Sequence, residues 1–428
     1  MFLVIGMKTK NMIGITAVFV IALVVILAGL MYSGFFSSPG PVQAKAAVDT
    51  YATNDSVGSL SDAMNGFSFD MYRELGIDST ENVFFSPYSI FVALAMTYEG
   101  AKGETAEQMK EVLGFEQNDE VSLCSFGRIY NLLNIDAEYT LNTANALWTM
   151  KDYPFLEEYL SFIDNYYMGK ATDVDFTNTA EAAEIINSWV EENTGGKIKD
   201  MLSSGDISPG TVLILSNAIY FKGLWLTQFD SEDTVSRDFE ITPTEKLQVP
   251  TMVLTGSEEL FNYSETDELQ MLELPYKGDD VSMVIILPKQ NNISSVEQMM
   301  NAENLSMWMD SMQPTTVDIY LPKFTYKTEY NLKDMLIAMG MDIAFSYDAD
   351  FSGMNGRGGL FIEKVLHKAF IEVNEEGTEA AAATTVHVLE SAMPGEPTVF
   401  DADHPFLYLI KHKETGTILF MGKVVDPK

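Results

Sequence analysis

From Leu60 the apolar residues recur at spacings of three and four: Leu60, Met64, Phe67, Met71, Leu75. That period predicts a helix with one buried face. "TAEQ" at Thr105 to Gln108 has the form of a capping box, and it predicts a helix start ahead of Met109, Val112 and Leu113. A third helix is predicted in "AEIINSWVEENTGG", Ala183 to Gly196. Its apolar stripe is Ile185, Ile186, Trp189 and Val190, and Gly195 or Gly196 supplies the stop.

Strand patterns dominate further on. "TVLILSNAIYF" (Thr211 to Phe221) and "VSMVIILP" (Val281 to Pro288) are nearly unbroken apolar runs, as strands covered on both faces require. "VDIYLPKF" (Val317 to Phe324) alternates instead. "FLYLIKHKETGTILFMGKV" holds two strand-like runs around "KETG", which predicts a hairpin. Helices concentrate before residue 205 and strands after it, with no break in composition between them. The pattern predicts one large α+β domain over residues 55–428.

The N-terminus has a different character. Lys8 and Lys10 precede an apolar run of 19 residues, Ile13 to Met31. About 20 such residues cross a bilayer, and lysines ahead of the run favour a cytoplasmic N-terminus with the remainder translocated. Residues 1–31 therefore read as a signal peptide or a membrane anchor; "VQA" at Val42 to Ala44 is a weak cleavage site. Residues 32–54, rich in Ser, Gly, Pro and Ala without periodicity, read as a linker. The expected location is extracytoplasmic, either secreted or anchored by residues 13–31.

Composition narrows the function. The chain has 428 residues, 46% of them hydrophobic, and a formal net charge of −36. A field of that sign argues against nucleic acid or an anionic membrane surface as a partner of the folded domain. The one cysteine, Cys124, can form no intrachain disulfide. An exported domain without disulfides points to a prokaryote.

No catalytic or metal-binding constellation emerges. The four histidines, His367, His387, His404 and His412, have no paired metal spacing, and no nucleophile elbow, Walker A motif or dinucleotide fingerprint is present. "DADFSGMNGRGG" from Asp348 begins like a calcium loop, but its twelfth position is Gly359 where a bidentate Glu is needed. Asn54, Asn262, Asn292 and Asn304 head permissive N-x-S/T patterns. No metal, no cofactor and no enzymatic activity are expected, and weight shifts to a binding or inhibitory protein.

One segment carries a signal. In "EEGTEAAAATTVHVLESA", Glu375 to Ala392, a strand reading puts Thr378, Ala380, Ala382, Thr384, Val386 and Val388 on one face, all small or apolar and uncharged. Glu379, Ala381, Ala383, Thr385, His387 and Leu389 fill the other. The segment makes a poor amphipathic helix. It suits a strand that enters a crowded sheet, a plain surface loop or a short Ala-rich helix.

The chain closely resembles the serpins from about Asp55 to Lys428. The resemblance is carried, in order, by "NVFFSPYSI" (Asn82 to Ile90), "LSNAIYFKGLW" (Leu215 to Trp225), "YLPKF" (Tyr320 to Phe324), "HKAFIEVNEEGTEAAAATT" (His367 to Thr385) and "FDADHPFLYLI" (Phe400 to Ile410). It implies a serpin fold of three β-sheets with eight or nine helices and an exposed reactive-centre loop. It also implies inhibition of a serine protease: the protease cleaves the loop, an acyl-enzyme forms, and the freed loop inserts as a strand into the central sheet. The hinge would be Glu375, Glu376, Gly377, Thr378, Glu379, Ala380, Ala381, Ala382 and Ala383. The seventeenth residue from Glu375 is Ser391, so the implied reactive bond is Ser391–Ala392, with Glu390 and Met393 as alternatives. Such a bond suits elastase-like or subtilisin-like enzymes. Ser86, Ser89, Asn217 and His367 match the family's polar "shutter"; Trp225 matches its "breach", where Lys323 would face Glu375. The implied partner is a target serine protease in a covalent complex, with the inhibitor a monomer. The alternative is a non-inhibitory serpin, a chaperone, carrier or structural protein.

Overall fold

The computed structural model describes residues 45–77, 79–115, 120–135, 137–151, 153–378 and 398–428. The apolar run Ile13 to Met31, the hinge residues Glu379 to Ala383 and the implied reactive bond all lie outside these residues. Among the described residues no helix is long and apolar enough to cross a membrane.

The spacing of Leu60, Met64, Phe67 and Met71 produces the helix Asn54–Leu75, which buries all four. The folded unit begins earlier than the linker reading put it, at Ala46. Ala47 is buried and exchanges backbone hydrogen bonds with the Asn131 side chain, at 2.8 and 3.0 Å. Helix Pro87–Tyr98 is apolar on every side and buried at every residue, as a helix without a polar stripe must be. Helix Gly103–Leu113 forms without the predicted capping box, since its N-cap is Lys102 and lacks a side-chain bond. Thr105 is buried instead, and its hydroxyl accepts the Asp350 N–H at 2.9 Å. In helix Thr179–Asn193, Ile186 and Val190 are buried as expected, whereas Ile185 is 43% exposed.

The described residues contain ten α-helical segments and three sheets. Strands are numbered β1 to β17 along the chain. The central sheet has the order β12 (Phe324–Asn331), β13 (Lys364–Asn374), β14 (Gly377–Thr378), β4 (Leu213–Leu224), β2 (Thr140–Met150), β3 (Lys170–Val174). A seven-stranded sheet runs β1 (Val83–Phe85), β17 (Ile418–Val424), β16 (Phe406–His412), β9 (Val281–Pro288), β8 (Leu269–Pro275), β7 (Phe261–Glu265), β10 (Gln313–Thr315). The third sheet is β15 (Thr398–Asp401), β11 (Val317–Pro322), β6 (Glu245–Leu254), β5 (Val235–Thr242). The run "VDIYLPKF" therefore divides at Lys323 between two sheets. The "KETG" hairpin joins β16 and β17.

The near-continuous apolar character of β4 follows from its two covered faces. Leu213, Leu215, Ile219 and Phe221 join the main core, while Ile214 and Ala218 pack with Ile186, Val190 and Met201 in a smaller second core.

Candidate functional site

The centre of the molecule is a seam between two parallel strands. β13 and β4 pair over seven positions, Lys364↔Ile214 to Phe370↔Tyr220. Above Phe370 they part, and the two-residue strand β14 sits in the fork. Gly377 and Thr378 pair antiparallel with Asn374 and Val373 on one side and with Leu224 and Gly223 on the other.

Close approach makes Gly377 necessary. A Cβ there would stand 2.0 Å from the Gly223 carbonyl oxygen, inside any permitted contact. Thr378 is buried, and its hydroxyl lies 2.6 Å from the Tyr276 hydroxyl. Tyr276 stacks on Trp225, with ring centroids 4.6 Å apart.

The turn that feeds β14 is held by its neighbours. The Asn374 side chain accepts the N–H groups of Glu376 and Gly377 at 3.0 and 3.3 Å, closing an Asx-type turn. Trp225 donates its ring N–H to the Asn374 carbonyl at 3.0 Å and its backbone N–H to Glu376 at 2.8 Å. Phe229 N–H donates to the Glu375 carbonyl at 2.9 Å. Lys323 Nζ lies 2.8 Å from the Glu375 carboxylate, which also accepts the Thr234 hydroxyl at 2.7 Å. Burial pushes the Glu375 carboxyl up, but the bonds from Lys323 and Thr234 outweigh it and its pKa lies below the ordinary value. The Glu375 side chain is 11% exposed, so the pair is not a simple surface contact.

The lower part of the seam rests on a polar cluster. His367 (β13) and Asn217 (β4) are cross-strand partners, and both are fully buried. Ser86 N–H donates to His367 Nε2 at 3.1 Å. That contact fixes the tautomer, leaving Nδ1–H to donate to the Asn217 side-chain carbonyl. The Asn217 amide donates to Ser89 Oγ and to Asn145 Oδ1; Ser89 Oγ donates to the same Oδ1 at 3.1 Å. Ser86 Oγ ties the cluster to the Leu419 carbonyl at 2.6 Å. Burial lowers the His367 pKa to about 3. The imidazole is neutral through the physiological range.

The structure thus brings Ser86, Ser89, Asn217 and His367 into one network, and Trp225, Lys323, Glu375, Gly377 and Thr378 into another. Asn145, Thr234, Phe229 and Tyr276 were missed in the sequence. A signal for Asn145 exists: it is an amide inside the apolar "ANALW", as Asn217 is inside "LSNAIYF". Thr234 and Phe229 sit in an irregular segment whose path no local pattern reveals.

Other candidate chemistry does not assemble. Asp350, in the calcium-like loop, accepts the Ser352 N–H at 2.9 Å, and Asn355 accepts those of Arg357 and Gly358. These side chains satisfy their own backbone. Among the described residues no group of three acidic, His or Cys ligands could hold a metal. His404 bridges Asp403 and the Pro288 carbonyl, both at 2.7 Å, and Cys124 is buried.

Comparison with known proteins agrees with this geometry. Residues 62–427 match the family model "Serpin (serine protease inhibitor)". An uncharacterized serpin-like protein of Thermococcus kodakarensis is 46% identical over 373 residues, covering 86% of this chain and 85% of its own. The leukocyte elastase inhibitor of Xenopus laevis is 41% identical over 386 residues, covering 86% of this chain and all of its own. Among solved structures, human thyroxine-binding globulin, crystallised with its thyroxine ligand, superposes with a TM-score of 0.79 at 32% identity, covering 87% of this chain and 100% of that one. The family is one of protease inhibitors rather than enzymes, and its fold is also that of a thyroxine-binding globulin. The matched motifs, the three sheets and the full-length relatives place this chain in the serpin family.

Proposed function

We propose that this chain inhibits serine proteases by offering residues 379–391 as a cleavable loop that then enters the β13–β4 seam. The observation that carries this reading is the fit between the seam and the sequence that follows Thr378. β13 and β4 hold one constant offset along the seven pairs and at the fork, where Val373 and Gly223 both face Thr378. A strand entering from the fork needs the two to separate, with no slip in register.

Continuing that register, Ala380 would meet Phe221 and Ile371, and Ala382 would meet Ile219 and Ala369, all core-facing. Val386 would meet Leu215 and Val365. Thr384, the one polar residue of this face beyond Thr378, would arrive between Asn217 and His367, whose mutual hydrogen bond would give way to bonds with its hydroxyl. Apolar residues meet apolar berths and the hydroxyl meets the polar one.

Attack of the protease serine on the Ser391 carbonyl breaks the bond to Ala392, whose nitrogen takes the proton, and leaves an ester between loop and protease. Insertion carries that ester to the far end of the seam before water reaches it. The small side chains at Ala380 to Ala383 favour rapid entry. The name of the Xenopus relative supports an elastase-like target, which agrees with Ser391 as the residue before the cut. The inhibitor acts as a monomer outside the cytoplasm, secreted or held by residues 13–31. N-terminal sequencing of the native protein would give a start near Lys45 if it is secreted, and the intact N-terminus if it is tethered.

The test is incubation with subtilisin-like and elastase-like proteases followed by denaturing gels. A complex that survives detergent is the expected result. Cleavage without such a complex across a broad panel overturns the reading. The likeness to a thyroxine-binding globulin supports a second reading, a non-inhibitory serpin, which loop cleavage would leave without a gain in stability.

A further inference from the structure

Four patterns of the form N-x-S/T, headed by Asn54, Asn262, Asn292 and Asn304, play no part in the inhibitory reading. Such a pattern accepts an N-linked oligosaccharide where the chain is exported and the pattern lies on an exposed turn. The reacting atom is the amide nitrogen Nδ2, and the hydroxyl two residues on helps to recruit it. Both groups must be accessible and without other partners.

The fold commits three of the four. Asn262 lies inside β7, paired with β8 on one side and β10 on the other, and its Nδ2 donates to the Glu273 carboxylate at 2.7 Å. Asn304 is half-buried in helix Ala302–Asp310, and its Nδ2 donates to the Met299 carbonyl at 2.6 Å. Asn54 is exposed, but it opens helix Asn54–Leu75 and its partner hydroxyl is taken. Ser56 Oγ accepts the Thr53 N–H at 2.9 Å and the Ser125 hydroxyl at 2.8 Å, and donates to the Thr53 carbonyl at 3.0 Å.

Asn292 differs. It ends the turn between β9 and helix Ile293–Glu297, with φ −146° and ψ 78°, outside the helical range. An Asn at that N-cap position ordinarily accepts a backbone N–H of the first turn. Asn178 and Asn301 do so at their own helices, whereas Asn292 does not. Asn292 and Ser294 are both exposed, and neither side chain has a hydrogen-bond partner among the described residues. The turn around them is nevertheless pinned. Lys289 N–H donates to the Glu268 carbonyl and Asn291 Nδ2 to the Glu240 carbonyl, both at 2.7 Å, and Ile293 packs against the main core.

We infer that Asn292 carries an N-linked oligosaccharide; this rests on the extracytoplasmic location proposed above. The donor class is a lipid-phosphate-linked oligosaccharide. Nδ2 attacks its anomeric carbon, a C–N bond forms as the C–O bond to phosphate breaks, and the amide gives up one proton to a base of the transferase. Asn291 already occupies a carbonyl of β5, the edge strand of its sheet. A sugar on the next residue stands beside that edge and shields it from pairing with another chain.

The experiment is peptide mass spectrometry on the protein isolated from its source, and on the variants Asn292→Gln, Ser294→Ala and Ser294→Thr produced in the same source. The expected result is added sugar mass on the peptide holding Asn292 and none on those holding Asn54, Asn262 or Asn304. Asn292→Gln and Ser294→Ala should lose that mass completely, and Ser294→Thr should keep it. An unmodified Asn292 in protein recovered outside the cytoplasm overturns this inference and leaves the location and the inhibitory reading standing. Modification of all four positions alike overturns the argument that the fold selects the site. A chain recovered from the cytoplasm overturns the location, and this inference with it.

Discussion

His367 stays neutral because burial disfavours its charged form and Ser86 N–H occupies the nitrogen that a proton would need. The folded pKa, about 3, lies below the ordinary value of 6.5. Between those values the unfolded chain binds a proton that the folded chain refuses, so the stability from this group is complete above pH 6.5 and drains away as pH falls toward 3. Urea midpoints measured from pH 7 to pH 4 should decline, and His367→Gln should remove part of that slope even though it lowers stability at pH 7. Glu375 has the same sign for a different reason. Its bonds to Lys323 and Thr234 hold the carboxylate ionised, so these contacts are intact above the ordinary carboxylate range and loosen as pH falls through it. The partly buried pair contributes about 1 kcal/mol. Glu375→Gln should therefore leave the melting temperature nearly unchanged while raising the rate at which the hinge becomes accessible, read by hydrogen exchange at Gly377 and Thr378.

At the scale of elements, β14 is two residues long and pairs with both β13 and β4. It holds the fork open at one end while β13 and β4 stay paired below. A bulky or charged side chain on the entering face would have to sit against Tyr276, Phe221 or Ile219. Thr378→Arg and Ala380→Arg should turn the inhibitor into a substrate, cut at the same bond without retaining the protease; fragment mass spectrometry and gels read both outcomes. Periodicity made much of the architecture legible: the helix at Asn54, the strand Val281–Pro288, the hairpin at Lys413. It failed where tertiary partners override local rules. Thr105 has the spacing of a cap, but a buried hydroxyl facing Asp350 suits it better. Ile185 has the spacing of a core residue but lies at the edge of the stripe. The run through Lys323 alternates as one strand, although the chain changes sheets there. The polar cluster was legible in four of its members through family motifs, and Asn145 joined them only when β2 was seen beside β4.

Across the whole molecule, the state described stores a choice. On the proposed reading the central sheet takes one more strand once β13 and β4 part in register, and the sequence after Thr378 supplies a small-faced segment for that berth. The melting temperature before and after loop cleavage by a catalytic amount of protease tests this most directly. Filling the seam adds a fully paired strand and closes the fork, so the cleaved protein should melt well above the intact one, and Ala380→Arg should lose most of that gain. A cleaved protein that melts at the temperature of the intact one would contradict the account.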